Sequence, residues 1–361
     1  MKETKNIRIK DIALKAKVSA GTVDRVLHDR GNVSEKVKEK VLKILAEMNY
    51  EPNFMARALG NKKEYRFAAL IPDPAFDAYW LDPKLGIEKA AKEARQYGVN
   101  VSPFMFNPYD VQSFKEMAEA VTQSNPDGIL LSPIFYREVL SFFETWKKME
   151  IPFVLFNTQI AEFDPLSYIG QDSYQSGLVA ANLIHFGRPQ PASILIAHID
   201  EEMSNAAHLI KKEQGLRNYF IQNNLSEHYE VIKVELNRNN YALFVEQLDA
   251  VFESNPQLQF CFVTTSKAYE IAKYFEQKFI NHIKIIGYDL IPQNLHYLNK
   301  GAISFLINQN PLGQGYWGIN QLVDHLVFKK EISAIKFLPL DIVTKENLNY
   351  YIDESMLYNR F

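Results

Sequence analysis

Val18–Leu27 reads VSAGTVDRVL. Val23, Val26 and Leu27 fall at i, i+3 and i+4, one face of a short helix, with Thr22 and Arg25 turned outward. Ser19 has the chemistry of an N-cap, because its hydroxyl can accept a free amide of the first turn. Upstream, Ile9, Ile12, Ala13 and Ala16 trace a second apolar face that Lys17–Ser19 interrupts. Downstream, HDRGN is a loop with Gly31 as breaker. Ser34 then stands to cap a third helix, whose stripe is Val37, Val41, Ile44, Leu45 and Met48. Three short helices with a tight second turn predict a helix-turn-helix bundle.

The charge around this bundle is uneven. Residues 1–62 hold 14 Lys/Arg against 8 Asp/Glu, whereas residues 63–361 hold 26 against 35. A basic head on an acidic body implies an anionic partner for the head alone. The whole chain of 361 residues is 47% hydrophobic and 23% charged, with room for two or three domains. Its one cysteine, Cys261, sits in the apolar run FCFV and reads as a buried small hydrophobe. No run approaches the ~18 apolar residues of a membrane span. The opening MKETKNIRIK has no apolar signal core, so a cytoplasmic setting is expected.

From Tyr65 the pattern changes to short apolar runs alternating with amphipathic helices. RFAALI, VNVSPFMF, DGILLS and PFVLFN make a first round; ASILIAHI, YEVIKVEL, QFCFVTT, IKIIGYD and ISFLIN make a second. Two rounds of βα units predict an α/β core of two doubly wound parallel-sheet lobes, behind an all-α headpiece.

A recognition helix sets its first side chains on base edges in the major groove. Here those are Ala20, Gly21 and Thr22, with Arg25 one turn on. Arg25 can fork onto a guanine or hold a phosphate, and Lys15, Lys17, Arg30 and Lys36 can serve phosphates. Helix, turn, recognition helix, third helix and the following NFMARAL together resemble the DNA-binding module of the lactose/galactose-repressor family, from about Ile9 to Gly60. The resemblance implies a hinge helix that orders on operator DNA, with Leu59 as an apolar wedge and Ala56 and Arg57 along the minor groove. The expected DNA-contact set is Ser19, Ala20, Gly21, Thr22, Arg25, Asn53, Ala56, Arg57 and Leu59. Gly21 departs from the polar side chain common in the family, which bears on the operator sequence.

The resemblance also implies a core like the periplasmic sugar-binding proteins and a division into residues 1–50 (helix-turn-helix), 51–62 (hinge) and 63–361 (core). The expected first lobe is about 63–168 and 307–335; the second is about 169–306 and 336–361. Parallel sheets bind ligands beyond the carboxyl ends of their strands. The side chains just past those ends are Asp73, Phe76, Tyr79, Trp80, Asn157, Asp172, Lys212, Thr265, Asp289 and Gln309. Asn157, Asp289 and Gln309 match the family's ligand positions. Lys212 stands where an arginine is usual, and Thr265 where Asn or Asp is common; both departures point to a different ligand. The competing role for Asp172, Ser266 and Asp289 is capping of the next helix.

GQGYWG (residues 313–318) matches a dinucleotide fingerprint, with Asp341 in reach of a ribose. That reading would make the protein a nicotinamide-dependent oxidoreductase. The fingerprint should follow its strand at once, however, and NQNPL intervenes. No zinc spacing and no nucleophile motif stands out. The expectation is a regulator, not an enzyme, with no cofactor. It would be a homodimer on a pseudo-palindromic operator, controlled by a sugar, polyol or sugar-acid effector held between the lobes.

Overall fold

The computed structural model describes residues 8–27, 31–48, 50, 63–160, 162–188, 191–200 and 207–351. Asn53, Ala56, Arg57 and Leu59 of the expected hinge, and Arg30, lie outside them. The chain divides into two compact units at Arg57/Ala58.

The first unit contains helices α1 (Ile9–Ala16), α2 (Ala20–Leu27) and α3 (Glu35–Glu47). They bury the predicted stripes, with Ile12, Ala16, Val23 and Val41 fully enclosed. Lys17 ends α1 in the left-handed region, at φ 56°. Val18 N–H donates to Ala13 O at 3.0 Å and Lys17 N–H to Leu14 O at 3.2 Å. This bond pair stops a helix within two residues and makes the tight turn. Ser19 Oγ accepts the Thr22 amide at 3.1 Å, as the cap requires, and lies 2.9 Å from the Thr22 hydroxyl. Thr22 is therefore half-buried in the cap rather than turned fully outward. Ser34 occupies the N-cap position of α3, but its hydroxyl makes no capping bond; its carbonyl takes the Val37 and Lys38 amides instead.

The second unit holds two six-stranded sheets. The first runs in the order β2-β1-β3-β4-β5-β11 and the second β7-β6-β8-β9-β10-β12. In the first, β1 is Tyr65–Pro72, β2 Val99–Phe106, β3 Gly128–Leu131, β4 Phe153–Phe156, β5 Ser167–Gly170 and β11 Ile335–Phe337. In the second, β6 is Ala192–Ile199, β7 Tyr229–Leu236, β8 Leu258–Val263, β9 Lys284–Tyr288, β10 Ile303–Asn308 and β12 Asp341–Val343. All neighbours are parallel except β12, which runs antiparallel to β10. Strands such as GILL and FVLF are buried throughout, as helices on both faces demand.

The chain crosses between lobes three times. Ile307 and Asn308 pair within the second sheet, and Lys336 and Phe337 pair with β5 of the first. Ile169 and Gly170 likewise still pair within the first sheet, so all three crossings fall a few residues later than expected. Among the described residues no helix is long and apolar enough to cross a membrane.

The glycines of GQGYWG lie inside the helix Pro311–Leu322, not at a strand-to-helix turn. Gly315 faces the Pro83 carbonyl, and Gly86, in the helix Leu81–Ala94, faces the Leu312 carbonyl; a Cβ at either would collide. Gly177 and Gly215 bring two second-lobe helices together in the same way. Gly313 and Gly318 of the motif face the side chains of Asn310 and Leu130, so its glycines serve close packing of this helix, Gly315 directly against backbone. Asp341 opens β12 opposite Asn308.

Candidate effector cleft and recognition helix

Between the sheets' carboxyl ends lies a cavity of about 310 Å3. The first lobe contributes Asp77, Tyr79 and Trp80 after β1, Tyr109 after β2, Phe135 after β3, and Asn157 and Thr158 after β4. The second contributes Asp200 after β6, Asn237 and Asn239 after β7, Thr264–Lys267 after β8, Asp289 after β9 and Gln309 after β10. His208 and Lys212 enter from the helix Ala207–Gln222.

Backbone geometry aims several of these groups. Asn157, Asp200 and Asp289 each follow a strand in the left-handed region, at φ 66°, 61° and 67°. Asn and Asp tolerate that conformation better than other residues with a Cβ. Behind the lining, buried Asn294 donates through Nδ2 to the carbonyls of Ser266 (2.8 Å), Tyr288 (2.8 Å) and Asp289 (3.0 Å). Its Oδ1 accepts the Tyr269 amide at 2.9 Å. One side chain thus ties the ends of β8 and β9 to the helices that follow.

Asp289 is the electrostatic centre. It is 1% exposed, and Gln309 Nε2 donates to its Oδ2 at 2.7 Å. Gln309 in turn accepts from Gln171 at the lobe crossing. Burial pushes the Asp289 carboxyl up to about 7, against the opposing pull of Lys212 and of the Gln309 hydrogen bond. Asp289 Oδ1 and Thr265 Oγ1 are buried without a hydrogen-bond partner. A buried acceptor and a buried hydroxyl facing a polar cavity are matched to a ligand bearing hydroxyls.

Lys212 is also buried. Its Nζ donates to Thr264 O at 2.7 Å and sits 3.6 Å from the centre of the Tyr288 ring. Beneath it, His198 bridges Thr264 (2.7 Å) and Glu213 (3.2 Å). The His198 and Arg217 hydrogen bonds hold the Glu213 carboxyl down to about 2, against burial. On the opposite wall Asn157 Nδ2 donates to the Tyr79 hydroxyl at 2.7 Å. Trp80 meets Tyr79 and Phe156 edge-on, giving the cavity an aromatic side.

Of the ten expected ligand residues, Tyr79, Trp80, Asn157, Lys212, Thr265, Asp289 and Gln309 line this cavity. Three do not. Asp73 accepts the Ala75 amide at 2.9 Å in a turn. Phe76 opens into a separate pocket. Asp172 caps the helix Ser173–Gly187 through the Tyr174 and Gln175 amides, the competing role foreseen for it. That role does not apply to Asp289, since the next helix is capped by Ile291 without a side-chain bond. Sequence reasoning missed Asp77, Tyr109, Asp200 and Lys267, which sit on loops where only the tertiary fold makes them neighbours.

In the first unit, Ser19, Ala20, Gly21 and Arg25 are exposed at and along α2. A Cβ on Gly21 would lie 3.7 Å from Ser19 Oγ, so the space for a side chain exists.

Comparison with known proteins agrees with both units. Residues 8–53 match the model of the lacI family of bacterial regulatory proteins, and residues 67–330 match a periplasmic binding protein domain. The ribose operon repressor of Halalkalibacterium halodurans is 25% identical over 79% of this chain and 80% of its own length. The sucrose operon repressor of Streptococcus mutans is 27% identical over 78% and 82%. The crystal structure of a LacI transcriptional regulator from Bacteroides fragilis superposes with a TM-score of 0.73 at 30% identity, covering 80% of this chain and all of that one. The chain belongs to the LacI family of bacterial transcriptional regulators, with a periplasmic binding protein domain as its core.

Proposed function

We propose that the protein is a homodimeric repressor whose affinity for a pseudo-palindromic operator is set by an uncharged or acidic carbohydrate, or a polyol, bound in the cleft. The observation that carries this reading is the pair of unmatched buried groups, Asp289 Oδ1 and Thr265 Oγ1, on the wall of a polar and aromatic cavity. The relatives named for ribose and sucrose operons support the ligand class. At about 310 Å3 the cavity stands at the lower end of the ~300–1,000 Å3 range of small-molecule pockets, which suits a ligand of about one sugar ring. Coupling is a population shift: an effector that prefers one lobe arrangement biases the protein toward it. No reaction is assigned to the cleft.

The test is a thermal-shift screen of the full chain against sugars, polyols and sugar acids. It is followed by titration of a duplex selected by the protein from random sequence, with and without each hit. A ligand at a hundred times its Kd adds ~2.7 kcal/mol to the folded state, an easily read rise in melting temperature. The expected result is a hit that also changes duplex affinity. Hits that leave duplex affinity unchanged, or a screen with no hit, overturn the proposal.

A further inference from the structure

We propose that the ion pair Asp77–Lys267 is a latch across the cleft, made by the chain itself, which sets how far the core is closed before any effector binds. The inference does not depend on which effector the cleft takes. Asp77 follows β1 in the first lobe, and Lys267 follows β8 in the second. Lys267 Nζ lies 3.1 Å from Asp77 Oδ2, with the two side chains 6% and 14% exposed. The Tyr109 hydroxyl donates to the same oxygen at 3.3 Å. The other carboxylate oxygen accepts the Tyr79 amide at 3.0 Å, which holds Asp77 in place from its own lobe.

The pair also divides space. It lines the 310 Å3 cavity on one side and a second pocket of about 250 Å3 on the other, where Phe76, Arg238, Tyr269 and Gln293 stand. The two side chains thus stand between the two spaces. Two other links between the lobes, among the described residues, are weaker or lie elsewhere. Lys211 meets Gln159 at 3.3 Å on the surface, and the Gln171–Gln309 bond sits at the crossing, where opening moves it least. Substituting either partner deletes an enclosed charge-charge contact that exists only while the lobes are together, and opening returns the remaining side chain to water. Either single substitution therefore shifts the population toward the open form.

The protein carries its own reporter. Trp80 is 6% exposed and lines the cavity, Trp146 is fully buried in the first lobe, and Trp317 is 40% exposed. In the full-length protein with Trp317→Phe and no sugar added, acrylamide quenching reads exposure of Trp80. Low quenching is expected in this parent, with a severalfold rise in Asp77→Asn and again in Lys267→Met. The double variant should rise no further than either single one, since both break the same contact. Adding Trp80→Phe should abolish the rise. Unchanged quenching in both single variants, additive effects in the double, or a rise that persists without Trp80 would each overturn the latch.

Discussion

Asp289 shows most directly how one side chain couples structure to solution behaviour. Its carboxyl is raised toward 7 by burial, so the folded protein keeps a proton that the unfolded chain has released. Its contribution to stability is therefore intact below about pH 4 and is lost as pH rises toward 7. The melting difference between Asp289→Asn and the wild type should widen in the variant's favour across that window and level off above it. One pKa unit corresponds to ~1.36 kcal/mol, which sets a ceiling of ~4 kcal/mol. Asn is the right probe because it tolerates the left-handed backbone at φ 67°. A pH-independent difference by calorimetry would contradict the assignment. Effector hydroxyls that donate to the carboxylate favour its ionised form, so effector affinity should rise with pH up to about 7 and lose that dependence in Asp289→Asn. In the first unit, Arg25→Ala should weaken specific duplex binding by ~1–3 kcal/mol if the guanidinium reads a base. A uniform loss across all duplexes would instead assign it to phosphate, and no loss would sink the role of α2.

At the scale of elements, helices that touch backbone to backbone leave no slack. A methyl on Gly86 would meet the Leu312 carbonyl of the neighbouring helix, which cannot rotate away as a side chain could. Gly86→Ala should destabilise the core by ~1–3 kcal/mol through overpacking, measured by denaturant unfolding. Gly21→Ala is the matched control. Its Cβ meets only Ser19 Oγ at van der Waals distance, and Ala favours helix over Gly. The first substitution should lower the unfolding midpoint of the core, and the second should leave the first unit as stable or more so. Equal effects would mean that the close helix contact is not what the glycine serves.

Across the whole molecule the asymmetry of charge governs DNA binding. The basic first 62 residues face a polyanion, while the remainder carries an excess of acid. Affinity for duplex DNA should fall by orders of magnitude between low and physiological salt, because releasing counterions into more concentrated salt is less favourable. A fragment beginning at Lys63 should not bind duplex. A flat salt response, or full affinity in that fragment, would place DNA binding elsewhere.

Local pattern determined the elements. The strands VNVSPFMF, ASILIAHI and YEVIKVEL and the three N-terminal helices have periodicities that their own residues impose, and they occur with the predicted bounds or within a residue or two. The positions just past strand ends were legible for the same reason, which is why Asn157, Asp289 and Gln309 could be named as candidates from sequence. Three features had no local signal. The strands Ile335–Phe337 and Asp341–Val343 are too short for a period to show, so the final return to the second lobe was expected about two residues too early. Asp172 and Asp289 look alike along the chain, yet one caps a helix and the other faces the cavity, because only the packed backbone decides where each carboxylate points. Asp77 and Lys267 are separated by 190 residues and become partners only when the two lobes come together. Periodicity is a property of neighbours in sequence and is written locally, whereas the approach of two loops from different lobes is a product of the tertiary fold.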